Sequence, residues 1–393
     1  LRLLAPLLAA VLAMPLAAQS ADLRAAVLRV DYPSLAPISR FEEVPEDLGF
    51  AGAELAMEDN ATTGAFLGHN YQLETVSAPP EEAEAALGRI LAEGIEAVVV
   101  LAHGDDLLKL ADSAGPGVLI LNAGARGTSL RSQDCRANVL HVTPSTAMLA
   151  DAVVQFAAWK KWTRLYMIRG SHPEDKELAD AYRRAAARFG ARIVEEREFE
   201  DTGGSRRTDT GHVLVQRQLP VFTEGAKKHD VVIAADASDV FAPYLPFHLW
   251  DPRPVMGSAG LRPVTFHAAH EAWGATQFQR RFEALTGRYI REEDYDTWLA
   301  LRVLGEAVTR TGSADAGEMR GYILSDAFEL AAFKGQKVTF RRWNGQLRQP
   351  ILLFDGRITA SVSPQEGFLH QNSPLDTLGL DAPESQCDAF QGG

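Results

Sequence analysis

The stretch Ala97–Arg131, AVVVLAHGDDLLKLADSAGPGVLILNAGARGTSLR, decides the fold class. Ala97 to Leu101 is an unbroken apolar run of strand length, and Gly117 to Leu121 is a second one. Between them His103-Gly104-Asp105-Asp106 leads into a helix. Strands that are apolar throughout are covered on both faces, as they are when helices pack on either side of a parallel sheet.

The same alternation runs outward in both directions. On the amino-terminal side, strands are expected at Ala25 to Val30 and Tyr71 to Val76, with helices at Glu46 to Asn60 and Pro80 to Glu93. The second of these helices opens on Pro and two Glu, a good start signature. On the carboxyl-terminal side, strands are expected at Arg164 to Ile168, Arg192 to Glu196, Val231 to Ala235 and Pro254 to Gly257. Thr146 to Trp159 and Glu174 to Phe189 read as helices, and Gly190 stops the second. The β-α-β order occurs twice, over residues 23–142 and 143–257, which predicts an α/β protein of two successive units.

From residue 265 the chain becomes helix-rich, with helices expected at His270 to Leu285, Asp294 to Thr311 and Asp315 to Ser325. Val338 to Phe340 and Ile351 to Phe354 read as a final strand pair joined through the turn signal Asn344-Gly345. Asp201 to Gly211 reads as a loop, and the tail after Gln371 has little periodicity.

The first residues read as an export signal. Arg2 precedes a largely apolar run from Leu3 to Leu16, and Ala18 and Ser20 stand at the −3 and −1 positions of a cleavage after Ser20. The run is short of the roughly 20 apolar residues that span a bilayer. The expectation is a mature protein outside the cytoplasm, away from nucleotide cofactor pools, with no membrane insertion once the signal is removed. The 393 residues, 46% hydrophobic, suffice for two cored domains. A formal net charge of −13 repels nucleic acid and acidic lipid, so the attraction for an anionic ligand has to come from a few basic groups gathered in a cleft. In an oxidising compartment Cys135 and Cys387 are a disulfide candidate, with two free thiols as the alternative.

Catalytic and cofactor motifs are missing. No G-x-G-x-x-G or Walker loop occurs, Gly257-Ser258-Ala259-Gly260 misses the nucleophile elbow by its spacing, and H-A-A-H-E at 267–271 matches neither zinc-protease pattern. The spacing asks for no metal, no required cofactor and no catalytic triad, with a hydrolase of unmarked triad left open as an alternative. Open α/β sheets bind ligands outside the carboxyl ends of their strands. His103 and Gly104 follow one such strand, and a helix start there attracts anions. Ala125 and Arg126 follow the next, where small residues allow close approach and a guanidinium matches a carboxylate. Asp236 follows a second-unit strand, and Arg40 follows the first strand of all. Trp250 and Trp273 lie in or beside connections and offer rings for stacking, whereas Trp298 is expected in the core.

The export signal, the two α/β units, the helix-rich return and the final strand pair resemble the type I periplasmic substrate-binding proteins of ABC transporters, the Leu/Ile/Val-binding class. That resemblance implies two Rossmann-like lobes with parallel sheets and three crossovers between them. It divides the chain into a signal at 1–20, lobe 1 at 21–142 plus about 265–330, lobe 2 at 143–264 plus about 331–370, and a tail at 371–393. It also implies a binding protein and not an enzyme, an ABC permease as partner and a periplasmic location. The stretches RANVLHVTPSTAMLADA, PEDKELADAYRRAAARFGA, WNGQLRQPILL and SVSPQEGFLHQ further resemble the branch that accompanies PQQ-dependent alcohol dehydrogenase systems. This branch implies pyrroloquinoline quinone, or a carboxylate from alcohol oxidation, as the small anionic ligand. A branched-chain amino acid is the alternative, as is cofactor delivery to a periplasmic PQQ-dependent dehydrogenase without transport.

Overall fold

The computed structural model describes residues 20–34, 43–201 and 215–390. The expected signal, Arg40 and most of the expected 201–211 loop lie outside the described residues. In lobe 1 the chain runs through β1 (Asp22–Val30), α1 (Phe50–Leu67), β2 (Asn70–Ala78), α2 (Ala83–Ala92), β3 (Ala97–Leu101), α3 (Gly104–Ala114), β4 (Leu119–Asn122) and β5 (Val139–His141). The five strands form one parallel sheet in the order β2-β1-β3-β4-β5, with Val27 beside Val99 and Val99 beside Leu121. Every residue of β3 is buried, as an unbroken apolar run between two helix layers requires.

Lobe 2 repeats the plan. Its elements are α4 (Thr146–Trp159), β6 (Arg164–Arg169), α5 (Pro173–Arg188), β7 (Arg192–Glu198), α6 (Val215–Thr223), β8 (Val231–Ala235) and β9 (Val255–Gly257), and its parallel sheet is ordered β7-β6-β8-β9. The chain then passes through β10 (Arg262–Val264) into α7 (Ala275–Thr286), α8 (Glu292–Thr311) and α9 (Ala316–Ile323). These helices return to the first lobe. Phe278, Trp298, Leu301 and Leu304 share a core with Leu23, Val27, Val99 and Leu121. The approach of α8 to α1 is close enough that a Cβ on Gly52 would lie 1.8 Å from the Asp294 carbonyl oxygen.

The last strands depart from the expected arrangement. Residues β11 (Leu330–Ala331), β12 (Lys337–Phe340) and β13 (Leu347–Arg348) form a small antiparallel sheet whose Leu330, Val338, Phe340 and Leu347 join the first-lobe core. Asn344-Gly345 turns β12 back onto β13, not onto Ile351–Phe354. That segment is β14 (Ile351–Phe354), which lies between β10 and β15 (Thr359–Ser363) in a separate antiparallel sheet packed on α4. The return to the second lobe thus begins near Ile351 and not near 331, because Ile351 and Leu353 are the first residues to enter the core with Met148 and Ile233.

The tail is a strap. Leu378 enters the second-lobe core, Asp376 sits buried between Arg341 and Arg348, and Gly379 N–H donates to Asp151. Farther on, Cys387 is bonded to Cys135 across 252 residues of sequence, and Phe390 packs against the first-lobe core beside Gly345. The strap joins the two lobes in addition to the three crossovers.

Candidate functional site

Loops leave the carboxyl ends of both parallel sheets, and one buried polar side chain organises them in each lobe. In lobe 1 it is Asn122, whose Oδ1 accepts from Gly124 N–H (3.1 Å) and Ala125 N–H (2.8 Å) while its Nδ2 donates to the Ala125 carbonyl (2.7 Å). A Cβ on Gly124 would come 2.8 Å from the Ala102 nitrogen, so the loop after β4 lies directly against the loop after β3. In lobe 2 it is Asp175. One oxygen accepts from His172 N–H (3.0 Å), and the other accepts from both the backbone N–H (3.0 Å) and the hydroxyl (3.2 Å) of Ser238. This carboxylate ties the loop after β6 to the loop after β8.

The exposed surface of the lobe 1 rim is built on Tyr32 and His103. Their rings stack in parallel with centroids 3.6 Å apart. The Tyr32 hydroxyl accepts from His103 N–H and donates to Asp106, each at 2.8 Å. Burial pushes the Tyr32 hydroxyl up, so it stays protonated and keeps donating. Lys109, and then Tyr32, hold the Asp106 carboxyl below its ordinary value. His103 caps α3 from its backbone alone, with no side-chain capping bond, so the first-turn N–H groups at Gly104 and Asp105 carry the partial positive charge of an uncapped helix start. On the lobe 2 side, His172 bonds Asp201 at 2.9 Å, which raises its basicity, and Ser171 stands beside it. The two rims meet where Thr128 N–H donates to Glu177 Oε1 of α5 at 3.2 Å.

The structure brings His103 and Gly104 to this rim and assigns other duties to most of the remaining expected residues. Arg126 is about one-third exposed and paired with Glu292 at 3.0 Å. Glu292 also accepts from Thr265 N–H and its hydroxyl, so the pair fastens the β4 loop to the second crossover. Glu293 and Asp296 lie near the same guanidinium, and burial raises both carboxyls. Ala125 is 4% exposed with both backbone groups bonded. Asp236 is turned inward, not toward the cleft. Its two oxygens accept from Val240, Phe241 and Ala242 N–H groups at 2.7–3.0 Å, closing the turn after β8. Trp250 is exposed at the opposite end of the lobe 2 sheet, where its N–H bonds Thr223 at the end of α6, just before β9 begins. Trp273 lines a different cavity, against β15.

Sequence reasoning did not single out Arg131, Asp175, His172 or Glu177. Arg131 is 1% exposed and bonds Gln346 Oε1 and the carbonyls of Ala125, Gly127 and Thr143 at 2.8–3.0 Å. It therefore staples the β4 loop to the first and third crossovers, and burial pulls its pKa down to about 9. Nothing in the sequence around Arg131 marks it. Asp175 had a signal: His172-Pro173-Glu174-Asp175 has the spacing of a capping box at a helix start.

Comparisons with known proteins place this geometry. A periplasmic binding protein family model matches residues 47–243, which is 197 of the 393 residues. No curated protein sequence matches the chain. Among solved structures, a branched-chain amino acid ABC transporter periplasmic ligand-binding protein from Burkholderia xenovorans LB400 superposes with a TM-score of 0.70 at 16% identity, covering 94% of this chain and 100% of its own. The leucine-, isoleucine-, valine-, threonine- and alanine-binding protein of Brucella ovis, in its closed conformation, gives 0.67 at 15% identity over 84% of this chain and 88% of its own. A solute-binding protein of an ABC transporter from Rhodopseudomonas palustris BisB5, in complex with 3,4-dihydroxybenzoic acid, gives 0.63 at 12% identity, with 87% and 97% covered. With two parallel-sheet lobes, strand-end loops that meet across them and a family model spanning half of its length, the chain belongs to the periplasmic binding protein family, with the type I, Leu/Ile/Val-binding-protein-like fold.

Proposed function

We propose that this chain is the substrate-binding component of an ABC transporter in the periplasm and holds a small carboxylated molecule between its lobes. The observation that carries the reading is the uncapped start of α3 beside the exposed His103 ring, set on the rim where Thr128 meets Glu177. Backbone N–H groups at a helix start are ready donors to a carboxylate. The similar structures point the same way, since they include a leucine-, isoleucine-, valine-, threonine- and alanine-binding protein and complexes with 3,4-dihydroxybenzoic acid and 4-hydroxybenzoate.

Pyrroloquinoline quinone, which the branch resemblance implies, would need Arg126 and a stacking Trp in one cleft. Arg126 is engaged by Glu292, and Trp250 stands at the far end of lobe 2, so the reading rests on one carboxylate and not three. A dehydrogenase partner stays tied to that branch resemblance alone. Calorimetric titration of the exported protein with L-leucine, 4-hydroxybenzoate and pyrroloquinoline quinone tests the proposal. A saturable heat with a monocarboxylate, weakened about tenfold by His103→Ala, supports it. Binding of pyrroloquinoline quinone alone restores the branch reading, and saturation by a monocarboxylate that ignores His103→Ala removes the His103 ring from the site.

A further inference from the structure

A second cavity, of about 330 Å³, lies away from the strand-end rim, between residues 269–273 and the β14–β15 hairpin. Its polar lining has a fixed proton order. The Phe333 carbonyl lies 3.1 Å from His270 Nε2, so that nitrogen carries a hydrogen and donates it. His270 Nδ1 is then an acceptor, and the Thr359 hydroxyl donates to it at 2.9 Å. His267 Nδ1 accepts from Ala269 N–H, which leaves its Nε2 as donor to the same Thr359 oxygen at 2.9 Å. With its one hydrogen spent on His270, Thr359 has only an acceptor lone pair to offer a guest.

The rest of the lining carries one charge of each sign. Glu271 and Arg357 both line the cavity and both are exposed; among the described residues neither is in a side-chain ion pair, and the carboxylate that Arg357 feels is Asp355, which accepts from the Arg357 and Ile358 backbone N–H groups. Trp273 supplies an apolar wall and is 53% exposed. Its backbone is held at φ 53°, a region bulky residues avoid. One edge of the indole is pressed against Gly335, where a Cβ would come 2.5 Å from the ring, so the ring cannot retreat from the cavity. Ile358 and Val362 complete the apolar side. Strained backbone that exposes an aromatic ring beside unpaired charges is characteristic of ligand sites.

We propose that this cavity is a second binding site, for a small zwitterion with an apolar arm. The guest's carboxylate sits on Arg357, its ammonium on Glu271 and the Thr359 oxygen, and its apolar arm on Trp273. The site is independent of the strand-end cleft. L-phenylalanine is the probe, and the tryptophan fluorescence of the full chain is the readout. A saturable change is expected, absent in Trp273→Phe and shifted about tenfold or more to higher concentration in both Arg357→Gln and Glu271→Gln. Benzoate, which lacks the ammonium, is expected to bind at least about tenfold more weakly at this site. The proposal is overturned by a fluorescence change that persists in Trp273→Phe, by equal affinities in the two charge variants and the parent, by benzoate binding as tightly as phenylalanine, or by no saturable change up to about 10 mM. His103→Ala, which alters only the other cleft, leaves this signal in place, so failure at one site is distinguishable from failure at the other.

Discussion

Asp236 and Arg126 show how far a residue's type can be read without its neighbours. Both stand at strand ends, where ligand-binding side chains concentrate, and both are used by the fold. Asp236 closes a turn by accepting three backbone N–H groups, and Asp236→Ala leaves them buried without partners. A loss of about 2–4 kcal/mol in urea unfolding is expected, with a loss under about 0.5 kcal/mol contradicting the assignment. Arg126→Gln removes the counter-charge of Glu292, which keeps its two bonds to Thr265. Since the pair is partly exposed, about 1–2 kcal/mol of stability should go while ligand affinity changes by less than about threefold. Unchanged stability with a large loss of affinity would return Arg126 to the binding site. Chain position put both residues at the right end of the sheet. It did not show that Asp236 has a turn to close or that Glu292, 166 positions away, returns to Arg126, because such partners are set by tertiary contacts.

Elements were legible where one apolar run is covered on both faces. Ala97–Leu101, Val231–Ala235, Ile351–Phe354 and Thr146–Trp159 have the bounds their hydrophobicity predicts. Elements held by partners distant in sequence were not. β5, β13 and β15 are short strands that exist because a neighbour is already in place, and the strap has no periodicity because it follows the surface of two lobes. Its covalent end makes it testable. Cys135→Ser with Cys387→Ser should lower stability by about 2–5 kcal/mol in denaturant, and a midpoint unaltered by the double substitution would show the strap held without its bond. The β14–β15 hairpin carries a pH dependence. Burial lowers the His267 pKa to about 4, with His270, Glu292, Arg262 and Asp355 the charged or titratable groups around it. The folded state keeps His267 neutral while the unfolded chain takes up a proton near pH 6.5. Stability is therefore full above about pH 6.5 and falls as the pH drops toward 4, by at most about 3 kcal/mol from this group. Unfolding midpoints from pH 7.5 to 4.5 should fall less steeply in His267→Gln than in the parent, and parallel curves would contradict the assignment.

At the scale of the whole molecule, the two lobes are linked by three crossovers, a strap and a set of buried charges where the crossovers meet. Arg131 binds the β4 loop to the first and third crossovers, and Lys334, its pKa pulled down by burial, also donates to Gln349 and the Pro350 carbonyl of the third. These bonds hold the crossovers together, and among the described residues the rims are joined where Thr128 N–H donates to Glu177 and where the Arg126 carbonyl accepts from Thr146 at the start of α4. A ligand that touches both rims favours the closed state only by its greater affinity for that state. Small-angle X-ray scattering of the protein, free and saturated with the monocarboxylate that calorimetry selects, examines this most directly. A smaller radius of gyration is expected on saturation, with that change shifted to higher ligand concentration in His103→Ala. Full occupancy with an unchanged radius would contradict it.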